Sequence, residues 1–475
     1  MTQTSARPVL ERGLLAGLVV VVVVASLVGS LGAPLIPAIA RESDVPLSLA
    51  QWTLTAAMLV GAVTTPLLGR LGDGRHRRVV VLCTLSAVTL GCLLSAMTTN
   101  IAVLIAGRSL QGTGLGLVPL GLAIARDHLS AERIRPAVSV LSVTAVAGAG
   151  FGYPICGALS RWYGVQASFG FGAAIAAVAL GVAVIVLPRG VHLTRRRLDL
   201  LGAVLLGSAL TALLLAVTRG PALGWSSPVV LGLAGAAVVV GGLTVWHLLR
   251  VSDPLVDLRL LGHRPVLLAD VTGLAAGTGV YVLLSEVMWM LQTPRDSPGG
   301  LGTTVFVASC AIVPFSALSL TTSRIAVRVV RASADIWLLP VGCLIFALAL
   351  ASLLITRHQL WAVFLTMALA GVGAGLTFAA MPGLIVAAVP AGEVGSATGF
   401  NQVLRSVGFA TGSTAAATIL AAYTSDRYPD PKAYDVSCAA GAALFAVTAV
   451  VVAVLARRDA LPRPTGVVPL DILEP

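Results

Sequence analysis

The feature that most constrains this chain is the repetition of long apolar stretches along its whole length. A helix needs about 20 consecutive apolar residues to cross a hydrocarbon layer of about 30 Å. Each stretch is continuously apolar rather than alternating, which favours helices over the strands of a membrane barrel. Fourteen stretches qualify, numbered here as spans 1 to 14: 14–40, 50–69, 79–98, 101–126, 136–159, 165–187, 200–218, 228–249, 265–291, 302–321, 335–355, 359–385, 396–422 and 436–456.

The composition agrees with this interpretation. Of the 475 residues, 57% are hydrophobic and 11% are charged, whereas a soluble domain carries about 25% charged residues. We therefore expect an all-α polytopic membrane protein. Arg7 and Arg12 precede span 1, and residues 38–40 read Ala-Ile-Ala, as in a cleaved signal peptide. The apolar stretch is much longer than a signal peptide requires, so removal of span 1 is the disfavoured alternative.

The basic residues predict how the spans are oriented. If the N-terminus lies in the cytoplasm, 22 of the 31 Lys and Arg residues fall in cytoplasmic segments, 7 fall in outer segments, and Arg108 and Arg405 lie inside spans. This excess follows the positive-inside rule and predicts a multi-pass protein of the cell membrane with both termini cytoplasmic. It also accounts for the net charge of +11 without a nucleic-acid partner.

The loops divide the spans into groups of six, two and six. Basic loops bound spans 7 and 8, so we expect a duplicated six-helix bundle with an inserted helix pair. Internal repeats of this kind are common in transporters. The predicted parts are a cytoplasmic N-terminus at 1–12, an N-terminal bundle at 13–188, a central linker with two extra helices at 189–264, a C-terminal bundle at 265–457 and a cytoplasmic tail at 458–475.

No metal or cofactor site is expected from the sequence. The six cysteines lie in or beside apolar stretches without a CxxC motif, and the six histidines fall in loops or at span ends. Cysteines in such surroundings act as small apolar side chains. The glycine-rich strings in spans 4 and 5 follow no strand, so helix packing explains them better than nucleotide binding.

Two motifs in the first half of the chain point to one family. The loop after span 2 reads GRLGDGRHRR over residues 69–78, and span 4 contains RSLQGTG over residues 108–114. The loop resembles the signature G-x-L-[AG]-D-[RK]-x-G-R-[RK] of the major facilitator superfamily, with Gly74 and His76 as departures, and the span 4 string resembles the family's R-x-x-Q-G-x-G. The resemblance implies a major facilitator fold with a conformational latch formed by Gly69, Gly72, Asp73, Arg77 and Arg78.

Further motifs resemble the fourteen-span drug:proton antiporters of that family. They are LDLLG at 198–202, Gly224-Trp225 and GFNQVLR at 399–405. Span 5 departs from the antiporter pattern G-P-x-x-G-G, because Tyr153 and Ala158 replace two glycines, and this leaves antiport open against another mode of coupling. Proline in span 5 still permits a bend. We therefore expect a moving interface or hinge that involves Gly148, Gly152, Pro154, Gly157 and Arg405.

Two acidic residues are placed well inside a span, Asp270 and Glu286 on span 9. Charges in hydrocarbon are costly and are functional by default. Sixteen residues of helix separate the two acids by about 24 Å and about 160° of rotation, so they do not share one site. We expect Glu286 to be the proton-coupling acid, paired with Arg108, and Asp270 to be a second candidate. The alternatives are a structural ion pair, a solvent-facing helix end, or neutralisation of Arg405 by Asp270.

The resemblance also implies where a substrate binds, because spans 1, 4, 9 and 12 line the cavity in the family fold. An apolar wall with a few amides and aromatic rings suits amphipathic compounds. A tryptophan near a span end also serves as a membrane-interface anchor, which is the alternative for Trp289. The same alternative applies to Trp52. The candidate contacts are Gln51 and Trp52 at the start of span 2, Gln111, Tyr281, Trp289, Gln292, Asn401 and Gln402.

Together these observations predict a secondary active transporter, not an enzyme, that exports small amphipathic compounds by alternating access. The expected energy source is the proton gradient, since the sequence has no P-loop. The expected partners are the lipid bilayer, protons and the transported compound, and we expect a functional monomer. The alternatives are a uniporter or proton symporter that imports a small metabolite and, more remotely, a membrane receptor or scaffold.

Overall fold

The computed structural model of the chain describes residues 6–72, 77–188, 199–252, 254–297, 299–330, 336–389, 394–424 and 429–457. Helices make up most of these ranges. Within them, the one pairing of extended residues is an isolated bridge between Thr424 and Pro429. The prediction of an all-α fold is therefore confirmed.

A helix, or a pair of helical pieces, lies at each of the fourteen predicted spans. Among the described residues, twelve of these segments are long and apolar enough to cross a membrane. The helices of spans 5 and 13, with 33 and 29 residues, are not among the twelve, so the count of fourteen stays a prediction. In order of span, the helices are Ala6–Ser30 with Ile36–Glu42, Trp52–Gly72, Arg77–Ala96, Ile101–Gly112 with Leu117–His128, Ala131–Tyr163, Val165–Val186, Leu200–Leu223, Pro228–Arg250, Arg264–Gln292, Val305–Cys310 with Ile312–Val330, Leu338–Thr356, Leu360–Ala388, Val394–Ala422 and Pro431–Arg457.

Local chemistry explains where several helices begin and end. The side chains of Asn100, Asp199 and Thr304 accept hydrogen bonds from the first free N–H groups of spans 4, 7 and 10, as N-cap residues do. Gly164 and Gly224 adopt φ angles of +86° and +83°, which residues with a Cβ rarely adopt. These glycines form the tight turns between spans 5 and 6 and between spans 7 and 8.

Two large apolar cores hold the helices together. One consists of buried residues between Leu14 and Leu187. The other consists of residues between Leu260 and Ala456 and also includes Tyr153 of span 5. Each core is therefore built almost entirely from one set of six predicted spans, and span 5 is a point at which the two sets meet.

The central helix pair packs on both sets of six through span 7. Leu210 and Leu214 of span 7 share a small buried cluster with Ala62 of span 2 and with Val403 and Val407 of span 13. At the outer side, as predicted from the basic residues, the Arg219 guanidinium lies 4.8 Å from the ring centroid of Trp52. Span 7 thus lies beside the contact between spans 2 and 13.

Glycines allow the helices of spans 9 and 13 to approach very closely. A Cβ added to Gly277 would collide with the carbonyl oxygen of Arg405, and one added to Gly408 would collide with that of Leu274. Interfaces rich in small residues let membrane helices pack backbone against backbone. This close contact fixes how the polar residues of spans 9 and 13 face one another.

Candidate transport site

Arg108 is the centre of a buried hydrogen-bond network in the N-terminal bundle. Its side chain is 1% exposed. Nε donates to the carbonyl oxygen of Thr53 at 3.1 Å, and Nη1 donates to Oε1 of Gln111 at 2.6 Å and to the carbonyl oxygen of Val28 at 3.5 Å. Gln111 in turn donates to Oγ of Ser95 at 3.1 Å. The network therefore ties spans 1, 2, 3 and 4 together.

The structure does not bring Arg108 and Glu286 together, so the expected pairing of these two residues is not formed. The acceptors of the Arg108 hydrogen bonds just described belong to spans 1, 2 and 4, whereas Glu286 lines a small cavity with Arg357 of span 11 and Asp435 of span 14. The reason is the direction in which each side chain leaves the helix of span 9. Tyr281 faces the other bundle, and five residues further along a helix the side chain points about 140° away. Glu286 consequently points into its own bundle.

Asp270 is buried at the contact between spans 9 and 13 and is 1% exposed. Nδ2 of Asn401 donates to its Oδ1 at 3.0 Å, and its Oδ2 has no partner among the described residues. Arg405 instead donates to Gln402, and its guanidinium lies 5.1 Å from the ring centroid of Phe378. The carboxylate of Asp270 is thus held by an amide and not by Arg405.

The substrate-cavity candidates fall into two groups. Gln111, Asn401 and Gln402 are already engaged in the hydrogen bonds described above. Tyr281 is half-buried, its ring lies 4.8 Å from that of Phe409, and its hydroxyl is within hydrogen-bonding reach of Tyr153. Tyr281 therefore sits where spans 5, 9 and 13 meet. This placement makes it the candidate best positioned to contact a substrate between the bundles.

Trp289 and Gln292 lie at the outer end of span 9, away from Tyr281. Trp289 is half-buried against the C-terminal core. The side-chain nitrogen of Gln292 is buried and has no partner in the described part of the chain. These two residues are not part of the cluster around Tyr281, and their contact with a substrate stays a prediction.

Several of the described contacts between the two bundles lie toward the predicted outer side. On one flank, Gly157 of span 5 faces Ser309 of span 10 so closely that an added Cβ would lie 3.0 Å from the serine Cβ, and the rings of Trp162 and Phe306 are 6.1 Å apart. On the other flank, Nε2 of Gln51 lies 3.3 Å from Oγ of Ser413. The outer halves of the bundles are therefore in contact in this structure.

The other hinge candidates have different surroundings. Gly148 and Gly152 pack against span 1 of their own bundle, where added Cβ atoms would meet Ser26 and Ser30. Pro154 is half-buried within the helix Ala131–Tyr163. The structure thus places Gly157 at the interface between the bundles, and Gly148 and Gly152 at the contact between spans 1 and 5.

The predicted latch is described in part. Asp73 lies outside the described residues, and Gly69 and Gly72 lie in the last turns of span 2. Nη2 of Arg78 donates to the carbonyl oxygen of Val184 at 2.6 Å. Val184 is in the last turn of span 6, where carbonyls lack helical donors. Nη1 of Arg77 approaches the carbonyl oxygen of Ala123 on span 4 at 3.5 Å. Both arginines thus bind carbonyls within the N-terminal bundle.

Sequence reasoning missed two polar clusters. Arg357 and Asp435 form an ion pair at the outer ends of spans 11 and 14, and both lie just outside the predicted spans. Arg357 follows the predicted end of span 11 and Asp435 precedes the predicted start of span 14, both on the outer side. This shared side is the signal from which the ion pair could have been predicted.

Within the described part of the chain, no three His, Cys, Asp or Glu side chains converge as metal ligands would.

The second missed cluster surrounds Asp199 at the start of span 7. Its carboxylate accepts hydrogen bonds from the N–H groups of Gly202 at 2.7 Å and Leu255 at 3.3 Å, and Nε2 of His247 lies 2.8 Å away. Burial acts to raise the pKa of Asp199, but these hydrogen bonds outweigh it and lower the pKa below its ordinary value. Asp199 thereby joins the ends of spans 7 and 8 to the segment that precedes span 9.

Comparison with known proteins agrees with this architecture. Multidrug resistance protein Stp of Mycobacterium tuberculosis is 29% identical over 395 residues, covering 82% of this chain and 72% of that protein. The probable actinorhodin transporter of Streptomyces coelicolor is 29% identical over 409 residues, covering 81% and 68%. The crystal structure of the POT family transporter PepTSo superimposes with a TM-score of 0.69 at 17% identity, covering 95% of this chain and 98% of that one.

The family assignment rests on matches along almost the whole chain. The model of the Major Facilitator Superfamily matches residues 18–412 and 298–469, which include the signature-like loop, span 4 and both apolar cores. The expected family resemblance is confirmed. The chain is therefore a multi-pass membrane transporter and belongs to the major facilitator superfamily.

Proposed function

We propose that this protein exports small amphipathic compounds in exchange for protons. The observation that carries the proposal is the similarity, at 29% identity over most of the chain, to one relative named for multidrug resistance and another named for transport of actinorhodin. The surroundings of Tyr281, with its aromatic neighbour Phe409 and adjacent apolar core, suit a compound with an apolar body and a few polar groups.

Proton coupling is supported by the two buried acids of span 9. Asp270 and Glu286 are each 1% exposed, and each has at least one carboxylate oxygen without a hydrogen-bond partner in the described structure. Burying an ionised carboxylate without full pairing is costly, and gaining a proton removes most of that cost. Each acid is thus suited to change its protonation state when its surroundings change.

Alternating access is supported by the arrangement of the two cores. They are separate clusters, with Tyr153 of span 5 the residue of the N-terminal set that joins the C-terminal core, and the contact between spans 5 and 10 is lined by small residues such as Gly157 and Ser309. Two rigid bundles can rock about such an interface, because closing and opening it changes few core contacts. In this account the structure corresponds to the conformation in which the outer halves are closed.

The proposal includes the setting in which the transporter works. The arginine distribution supports both termini in the cytoplasm and insertion in the cell membrane. The protein then acts as a monomer, with the proton gradient as its energy source and no bound cofactor. Arg108, fully engaged with carbonyl groups, organises spans 1 to 4 and does not act as the partner of Glu286.

A panel of compounds in an efflux-deficient bacterial host tests the proposal. Expression of the protein is expected to lower the accumulation of some amphipathic compounds, and an uncoupler is expected to abolish that difference. Lower accumulation that persists with the uncoupler would exclude proton coupling. Higher accumulation would favour an importer, and no change for any compound would contradict export.

A further inference from the structure

A small cavity lies inside the C-terminal bundle, between spans 9, 11 and 14 near their outer ends. Most of its wall is apolar, and the lining residues that carry ionisable groups are Glu286, Arg357, Tyr434, Asp435 and Cys438. The cavity volume is about 10 Å³, which is close to the space that one water molecule needs. It is separate from the contact between the bundles, where Tyr281 lies.

Glu286 is the innermost polar group of this cavity. It is 1% exposed, and neither of its carboxylate oxygens has a hydrogen-bond partner among the described residues. The polar group that interacts with this carboxylate is the buried hydroxyl of Ser437, which approaches it without forming a full hydrogen bond. A buried carboxylate that borders a cavity of this size is suited to exchange a proton with a single water molecule.

Arg357 and Asp435 connect this cavity to the outer surface. Nη1 of Arg357 donates to Asp435 and, at 3.2 Å, to the carbonyl oxygen of Pro431. The side chain of Asp435 is 41% exposed and that of Arg357 is 11% exposed. Exposure therefore falls stepwise from Asp435 through Arg357 to Glu286.

The cavity holds one cationic side chain for two acids. The Nε of Arg357 is buried and has no partner in the described structure, so the guanidinium retains a donor after binding Asp435. The phenol of Tyr434 lies 3.4 Å from Oγ1 of Thr293, and Cys438 is buried. Among the cavity-lining groups, Arg357 is the one that carries a positive charge.

We propose that Asp435 and Arg357 form the route by which protons pass between the outer surface and Glu286. A proton taken up by Asp435 breaks its ion pair with Arg357, which turns toward ionised Glu286. The Asp435 O–H bond then breaks as a water molecule relays a proton that forms the Glu286 O–H bond, and Asp435 pairs with Arg357 again. One proton has moved inward and no other group has changed. The proposal deepens the proposed function, because it assigns the outer half of its proton path.

Infrared spectroscopy of the protein in liposomes tests this route without any transported substrate. The C=O band of protonated Glu286 is identified as the band that the Glu286→Gln variant lacks, and its shift after transfer to D₂O reports proton exchange. Replacing Asp435 by Asn is expected to slow this exchange at least about tenfold, as loss of a general acid–base group does. Asp430→Asn, an exposed acid five residues earlier that lies outside the cavity lining, is the matched control and is expected to exchange at the wild-type rate.

Two further variants test whether Asp435→Asn slows proton exchange only by disturbing the structure. Asp435→Glu is expected to restore exchange, and Leu354→Phe, which fills the cavity from its half-exposed wall, is expected to slow it without removing a charge. Exchange in Asp435→Asn and Leu354→Phe as fast as in the wild type would overturn the route, as would a wild-type spectrum without a Glu286 band. Because the readout needs no export, these failures are distinguishable from a failure of the proposed efflux activity.

Discussion

At the scale of single residues, the four charges predicted inside the spans have unequal roles. Arg108 binds carbonyl and amide oxygens, Arg405 binds Gln402, Asp270 binds Asn401, and Glu286 faces a cavity without a hydrogen-bond partner. The sequence predicted that these residues lie in apolar surroundings, because that depends only on local hydropathy. Their partners could not be predicted, because a partner depends on the rotation of each helix against its neighbours.

Replacing Arg108 tests its role as an organiser of spans 1 to 4. Arg108→Ala removes hydrogen bonds to Thr53 and Gln111, and each hydrogen bond of a charged group contributes about 1.5–3 kcal/mol. We expect a clearly lower unfolding temperature in detergent. Arg108→Lys keeps the charge but loses the planar fork, so it should recover only part of the loss. An unfolding temperature unchanged by both substitutions would show that the network does not stabilise the bundle.

At the scale of helices and their contacts, the positions of the spans were predicted well and their details were not. The hydropathy of each stretch locates the apolar part of a helix, but helices continue past it. The span 5 helix begins at Ala131, ahead of its apolar stretch, and Arg133 near its start pairs with Glu11 at 3.0 Å. The 3-10 turn Thr113–Gly116 within span 4 was also not predicted, because hydropathy does not report backbone geometry.

The contact between spans 5 and 10 provides a test of the moving interface. Gly157→Leu would place a side chain against Ser309 and Phe306, and overpacking of this kind costs about 1–3 kcal/mol. We expect the outer halves to separate, so that spin labels at positions 163 and 305 move apart and transport falls. Gly181→Leu, on the lipid-facing side of span 6 where an added Cβ meets nothing, is the control. If the distance between the two labels is the same in Gly157→Leu as in Gly181→Leu, Gly157 does not hold the outer halves together.

The contact between Asp199 and His247 gives a prediction about pH. Because the pKa of Asp199 is lowered in the folded protein, its ionised form stabilises the fold at pH values above the ordinary Asp pKa, and this contribution disappears as the pH falls through the folded value. The unfolding temperature of Asp199→Asn should therefore lie below that of the wild type near neutral pH, and the two should converge below about pH 4. A gap that widens with acidification would contradict this assignment.

At the scale of the whole molecule, the plan of two bundles and an inserted pair places the chemistry in separate regions. Tyr281 lies where the bundles meet, whereas Glu286 lies inside the C-terminal bundle beside Arg357 and Asp435. The family was predictable from the loop at residues 69–78 and from span 4, because short motifs keep their spacing in the sequence. The separation of Tyr281 from Glu286 was not predictable, since it arises only when the helices are packed together.

The separation of Tyr281 from Glu286 determines how binding of a compound and binding of a proton could be coupled. A compound bound near Tyr281 and a proton bound at Glu286 are on different faces of span 9, so each must influence the other through movement of that helix. Spans 9 and 13 pack backbone against backbone at Gly277 and Gly408, so in the proposed mechanism the two helices are expected to move together. In the proposed mechanism, proton-driven export is a property of the rocking bundles and does not need competition of the two ligands for one side chain.

The most direct test of this account measures transport into inside-out vesicles, with the compound that shows the largest effect in the accumulation panel. With the vesicle interior acidic, the wild type and the Asp430→Asn control are expected to accumulate the compound, and collapse of the pH gradient should abolish accumulation. Glu286→Gln should retain exchange of the compound at equal pH but lose the accumulation driven by the gradient. Gradient-driven accumulation by Glu286→Gln at the wild-type rate would contradict the account.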